Sequence, residues 1–311
     1  MAIDSETARL FLAAHKAGVR LGRVLMLGRQ NILMRPSETR ALFDEYGIKP
    51  DPRMLAPEGY SKPPFAEPFF ESLGATSCES MDVSPYEGAT LVHDLNEPLP
   101  AEQAEKFDLV FDGGTLEHVF NFPQALQNAM QLIKLGGWYA GFTCGNNWFG
   151  HGFYQFSPEV YYRALSRANG FSKCAVFVVP EGLGLKWYLA EDPARLRTRT
   201  NLINGLRTPL LVLARKTGPT PAQLKLQQSD YVPFWEENAP VLNTGKYRPE
   251  TAPVLSLKAR LYAALPGLTR RLATLEARPW CPEYTVRKKK VFVPVPRSNL
   301  ASVIANLPDT V

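Results

Sequence analysis

The stretch from Lys106 to Val119, KFDLVFDGGTLEHV, limits the possible folds of this chain more than any other. Phe107, Leu109, Val110 and Phe111 read as a buried strand, and Asp112, Gly113 and Gly114 end it with the backbone freedom a sharp turn needs. From Asn121 to Lys134, apolar Leu126, Ala129, Met130 and Ile133 recur at helical spacing, and Leu135-Gly136-Gly137 reads as the stop. Trp138 to Thr143 is a second aromatic and β-branched run. Strand, helix, glycine stop and strand compose a right-handed crossover, which requires a parallel sheet. Ligands of such sheets gather beyond the carboxyl ends of the strands, here Asp112 to His118 and Cys144 to His151.

Upstream, Ser5 to Ala17 reads as a helix capped by Asp4 or Ser5, Arg23 to Gly28 as the first strand, and Ser37 to Tyr46 as a helix stopped by Gly47. Lys49 to Pro68 is proline-rich and reads as an irregular insertion. Pro68 to Leu73 is a short helix candidate, and Thr76 to Val83 and Ala89 to Val92 are strands. The strands therefore repeatedly end at glycine, acid or amide residues: Gly28, Asp82, Asp94 and Asp112. A carboxylate at a strand end can accept ribose hydroxyl or base amino hydrogens in a fixed direction, so the series suggests a nucleoside-binding rim. Downstream, Ser157-Pro158 starts a helix that Gly170 ends, and Ser172 to Pro180 and Thr208 to Ala214 read as a closing antiparallel pair. Between them, Gly182 to Leu206 reads as a polar arm or helix. The expected architecture is α/β, a Rossmann-like, mostly parallel twisted sheet flanked by helices with an antiparallel terminal strand. Residues 1–220 form that domain, and 221–311 a small basic extension packed on the core or at a homodimer interface.

The extension carries the charge. The whole chain is +5, whereas 221–311 hold 13 basic against 7 acidic residues, with Arg287-Lys288-Lys289-Lys290 the densest run. A solvated basic face is the first reading of that run, with an anionic substrate, a membrane surface or nucleic acid as the alternatives; no recognition fold or RNA-binding aromatic signature accompanies it, so a nucleic-acid partner is not expected. Leu255 to Leu265 and Leu268 to Leu275 read as helices, and Tyr284 to Val295 as an edge strand pair. The four cysteines and four histidines are dispersed with no local ligand spacing, so no structural zinc is expected, a metal assembled from distant residues stays open, and Cys78 and Cys174 read as small core residues. Neither a membrane-crossing run nor a secretory leader is legible, which makes the cytoplasm the expected location.

The segments VLMLG, SMDVS, HDLNEPLP, FDLVFDGGTLEHV, LIKLGGW and NGFSK follow one another in an order that resembles the class I S-adenosylmethionine-dependent methyltransferases over Val24 to Lys216. The resemblance implies S-adenosylmethionine as cofactor. It makes Gly28 the first nucleotide-loop glycine, Asp82 the ribose-binding acid, Asp94 the acid near the adenine amino group, and Asp112, Gly113 and Gly114 the strand end under the methionine moiety. The first loop departs from the family's glycine-rich pattern, with Met26 at the usual acidic position and Arg29, Gln30 and Ile32 in place of small residues. Arg29 is then a candidate for the cofactor carboxylate, because a guanidinium can hold one bidentately.

Methyl transfer to oxygen needs a proton acceptor near the rim, and His151, His118 and Glu117 are the catalytic candidates. Trp148, Tyr154 and Gln155 are candidates for holding substrate, a small polar or anionic molecule. The expected activity is methyl transfer to an oxygen of a sugar, glycan precursor or secondary metabolite. Two alternatives stand beside it: a catalytically silent nucleoside-binding or scaffolding protein, and an enzyme of other chemistry on this fold.

Overall fold

The computed structural model of this 311-residue chain describes residues 2–55, 63–181, 186–196, 199–202, 204–232, 235 and 291–310. After a short strand β1 (Ala2–Ile3), helix α1 (Ser5–Lys16) starts where the Asp4 carboxylate accepts from the amide of Thr7 at 2.8 Å. Then come β2 (Gly22–Leu27), β3 (Asn31–Ile32), α2 (Pro36–Tyr46), α3 (Glu67–Ser72), β4 (Ala75–Asp82), β5 (Leu91–Val92) and β6 (Phe107–Gly113). The second half comprises α4 (Phe122–Leu132), β7 (Ile133–Asn146), α5 (Pro158–Ala164), β8 (Phe171–Val178), β9 (Trp187–Ala190), α6 (Pro193–Leu196), β10 (Thr208–Lys216), β11 (Phe292–Val295) and α7 (Leu300–Ala305).

Nine strands form one sheet in the order β5-β4-β2-β6-β7-β10-β8-β9-β11. The five from β5 to β7 are parallel, and β10 runs antiparallel to both β7 and β8. This is the Rossmann-like arrangement expected from the sequence. From β2 the chain proceeds to β4 on one side and later to β6 on the other, so the crossovers diverge and leave a crevice beyond the carboxyl ends of β2 and β6.

Both faces of the sheet are covered, which explains the nearly continuous apolar runs in the central strands. Val24 and Met26 of β2 join Leu109 and Phe111 of β6 on one face, under α1, α2 and α3. There Phe11, Phe70 and Phe111 meet edge to face, with ring centroids 5.0 to 5.9 Å apart. Leu25, Leu27 and Val110 point the other way, against Ala125, Leu126 and Ala129 of α4.

Several elements differ from expectation. Helix α4 ends at Leu132 and the chain enters β7 at once, so Leu135-Gly136-Gly137 lies within the strand rather than stopping the helix. The orphan carbonyls at that end are satisfied from a distant strand: buried Lys216 donates through Nζ to the carbonyls of Met130 (3.0 Å) and Ile133 (2.8 Å). The stretch read as a polar arm contains strand β9, to which β11 adds antiparallel. Ser157 makes no side-chain cap on α5. Near the β9 edge, Glu6 of α1 accepts from the Trp187 indole and, at 2.8 Å, from Arg297, tying residues 291–310 to the first helix. The expected helices at 255–265 and 268–275 and the basic run at 287–290 lie outside the described residues.

Lys216→Met keeps most of the buried stem but leaves two carbonyls without their charged donor. The expected loss is roughly 1.5 to 3 kcal/mol in urea unfolding, and a variant as stable as the native protein would contradict the capping role.

Candidate functional site

At the carboxyl end of β2, Gly28 takes a left-handed conformation (φ 67°), and its amide donates to Met81 of β4 at 2.8 Å. The turn sends Gln30 inward, where it is fully buried. Its Nε2 donates to the carbonyls of Leu27 (2.8 Å) and Gly28 (3.1 Å), which orients Oε1 away from both, and Oε1 has no partner among the described residues. A Cβ on Gly113 would stand 2.4 Å from that oxygen. Glycine at 113 therefore admits the Gln30 amide into the crevice between β2 and β6. The sequence showed Gln30 only as a bulky departure from a glycine loop.

The rim acids differ sharply in their surroundings. Asp82, half-buried at the end of β4, has a carboxylate with no hydrogen bond or ion pair among the described residues. Asp94 is exposed, and bonds from the backbone amide (2.9 Å) and side-chain amide (2.8 Å) of Asn96 hold its carboxyl below the usual range. Arg29, the candidate for the cofactor carboxylate, has three partners within the chain. Its Nε donates to Glu67 at 2.7 Å, its Nη1 to the Glu87 carbonyl at 2.9 Å, and its guanidinium lies 3.7 Å from the centroid of the Phe65 ring. It braces the loops beside the first turn.

Asp112 is wholly buried, so its carboxyl shapes the corner from within. Oδ1 accepts from the amides of Thr115 (2.8 Å) and Leu116 (3.3 Å), while Oδ2 accepts from the Tyr139 hydroxyl at 3.3 Å. Burial, and next the negative charge of Glu117, push this carboxyl up to about 7 against the pull of the two amides. The Thr115 hydroxyl donates to the Leu27 carbonyl at 2.6 Å, fastening the corner to β2. Gly114, at φ 94°, reverses the chain, and a short 3-10 turn (Leu116–His118) then directs Glu117 inward and leaves His118 in solvent.

Glu117 is fully buried. Its Oε2 accepts from the Thr143 hydroxyl and its Oε1 from the Cys144 thiol, both at 3.3 Å. The loop after β7 is fastened to the same two segments, since the amide of Phe153 donates to the Glu117 carbonyl and that of Phe156 to the Cys144 carbonyl, each at 2.7 Å. Gly152 permits this approach, because a Cβ there would lie 2.7 Å from the Glu117 carbonyl oxygen. The loop presents His151 beside His118 with ring centroids 4.9 Å apart, and Trp148 lies 5.3 Å from His151. A carboxylate oxygen of Glu117, Sγ of Cys144 and a ring nitrogen of His151 all fall within 4.8 Å of one another.

The structure thus brings together Glu117, His118 and His151, and adds Cys144, to which the sequence reading gave no role. Tyr154 and Gln155 use their polar atoms within the chain: the Tyr154 hydroxyl donates to the Phe120 carbonyl at 2.6 Å, and Gln155 Oε1 accepts from the Trp148 amide at 2.8 Å. Trp148 has a buried indole N–H without a partner among the described residues, and Arg207 lies 5.2 Å from its ring. Exposed aromatics at the same mouth are Phe120, Phe149 and Phe153.

No family model matches the chain, and no curated protein is similar to it in sequence. Among solved structures it is similar to the N-methyltransferase NodS from Bradyrhizobium japonicum in complex with S-adenosylhomocysteine, at 14% identity and a TM-score of 0.36, over 68% of this chain and 86% of that one. It is also similar to a Burkholderia thailandensis 1,6-didemethyltoxoflavin-N1-methyltransferase, at 15% identity and a TM-score of 0.33, over 68% and 78%. A third likeness is to the CMeT domain of the citrinin polyketide synthase, at 10% identity and a TM-score of 0.34; 64% of this chain spans 47% of that one. At such identities and TM-scores these likenesses carry no argument about what the chain binds or does. No helix among the described residues is long and apolar enough to cross a membrane.

Asp112 makes the corner pH-sensitive. Its folded value of about 7 lies above the ordinary 3.8, so the fold favours the protonated carboxyl. This residue's contribution is most favourable below about 4, declines as pH rises, and above about 7 is fully replaced by the cost of a buried charge. Asp112→Asn keeps an acceptor for both amides and removes the titration. The melting temperature of the native protein should fall relative to that of the variant between pH 4 and 7, and a pH-independent difference would contradict the assignment.

Proposed function

We propose that this chain binds S-adenosylmethionine at the crevice beyond β2 and β6 and transfers its methyl group to an oxygen of a small polar acceptor, such as a sugar, a glycan precursor or a secondary metabolite. The observation that carries the reading is a pair of acceptors left without donors at the strand ends, the Asp82 carboxylate and the buried Gln30 Oε1. An unpaired buried amide oxygen is costly unless a ligand completes it. The donors of this cofactor suit the two positions: ribose hydroxyls for Asp82 and an α-ammonium group for Gln30. Such a donor set fits the chain's own residues even though its first loop lacks the usual glycines. When bound, the cofactor supplies a methyl group on a positively charged sulfur.

The remaining roles belong to the mouth. His118 and His151 are exposed and face one another, which suits a ring nitrogen for accepting the acceptor's hydroxyl proton. Phe120, Phe149 and Phe153 offer apolar surface around it, suited to the flat or carbon-bearing faces of an otherwise polar molecule. Glu117 is too deeply buried to touch an acceptor directly, and its part is to hold the corner and the His151 loop.

Calorimetry with S-adenosylhomocysteine tests the binding half. Native protein is expected to bind, and Asp82→Ala to weaken the affinity by roughly tenfold or more, the worth of a hydrogen bond to a charged group. A folded native protein that binds neither S-adenosylmethionine nor S-adenosylhomocysteine would overturn the reading. Incubation of metabolite extracts with methyl-labelled cofactor tests the transfer half: label in a small molecule supports it, and binding without transfer points to the silent nucleoside-binding alternative.

A further inference from the structure

We infer that Glu117, Cys144 and His151 form a binding site for a divalent transition metal, with zinc the ion best matched. The inference rests on the geometry of these three residues and stands independently of the methyl-transfer reading. One observation is the state of Glu117. This carboxylate is fully buried, and among the described residues no cation pairs with it. Its two side-chain donors, a hydroxyl and a thiol, both stand at 3.3 Å, and the O–H···O contact is longer than the range such bonds favour. Burying a carboxylate on those terms is costly, and a cation at its oxygen is the missing compensation.

A second observation is how the site is held together. The three ligands come from separate segments, namely the turn after β6, the end of β7 and the loop beyond it. The two 2.7 Å backbone bonds, from Phe153 to Glu117 and from Phe156 to Cys144, clamp the His151 loop onto the other two. The three candidate ligand atoms are consequently already within 4.8 Å of one another. In a tetrahedral zinc site the ligand atoms stand roughly 3.3 to 3.7 Å apart, as follows from metal bonds of about 2.0 to 2.3 Å. His151 is the exposed member of the three, so its side chain is the one with room to make that contraction.

The ligand types choose the ion. A thiolate and an imidazole favour zinc and its neighbours over magnesium or calcium, and a carboxylate is compatible with zinc. As the metal–sulfur bond forms, the Cys144 thiol gives up its proton to solvent. Three protein ligands leave the fourth position open on the exposed side, beside His118, as in sites where the ion takes water or a substrate oxygen. With the ion bound, His151 is committed to it, and under the methyl-transfer reading His118 becomes the ring available to the acceptor's proton.

Cobalt titration of the metal-free 311-residue chain is the test, because a cobalt–thiolate bond has a charge-transfer absorption that nitrogen and oxygen ligands lack. The expected result is saturation at one cobalt per chain, with that absorption present, and its loss on adding zinc. Cys144→Ser should abolish the band, although Cys78, Cys174 and Cys281 remain. His151→Ala, an exposed position whose change leaves the core intact, should weaken cobalt binding at least tenfold, as should Glu117→Gln if circular dichroism shows it folded. Absence of the band in folded native protein would overturn the proposal. So would a band that survives Cys144→Ser, or one whose affinity is unchanged in His151→Ala.

Discussion

The site depends on one buried carboxyl. By accepting two amides at the end of β6, Asp112 turns the chain back on itself within four residues and sets which way each following side chain faces. Thr115 is thereby brought to β2, Glu117 is directed into the interior, and His118 is left in solvent. The amides offset part of the cost of burial, and Tyr139 behind the carboxyl occupies its other oxygen. Every group at the mouth then refers back to this corner, because the loop carrying His151 is hydrogen-bonded to the backbone of Glu117.

Much of the fold was legible because the information was local. Glycine breaks, the alternation of buried strands with amphipathic helices, and the Asp4 cap are properties of neighbouring residues. Misreadings arose where distant segments decide. Helix α4 can stop at Leu132, ahead of its glycines, because Lys216, 84 positions later, satisfies its carbonyls. Strand β9 was hidden in a polar context, and its place in the sheet is set by Trp187 reaching Glu6 and by the pairing of β11, which returns from the far end of the chain.

The same division applies to the site. The position of Asp82 and of the corner from Asp112 to His118 at strand ends was legible because recognisable strands run into them. The inward placement of Gln30 could not, since it requires knowing that Gly113 on another strand leaves space for its amide. The partners of Arg29 within the chain, Glu67, the Glu87 carbonyl and the Phe65 ring, come from segments distant in sequence and are not legible from the loop that carries it. Cys144 gained significance only when Glu117 and His151 were found beside it, a set no local spacing displays.

The crevice between Gly28 and Gly113, with Asp82 at its rim, is the proposed seat of a nucleoside-bearing amino acid. A crystal structure of the protein with S-adenosylhomocysteine addresses it directly. The ribose is expected against the Asp82 carboxylate and the amino group of the ligand on Gln30 Oε1, with the amides of Thr115 and Leu116 still bound to Asp112. A ligand bound away from this crevice, or one bound there with neither Asp82 nor Gln30 in contact with it, would contradict that placement.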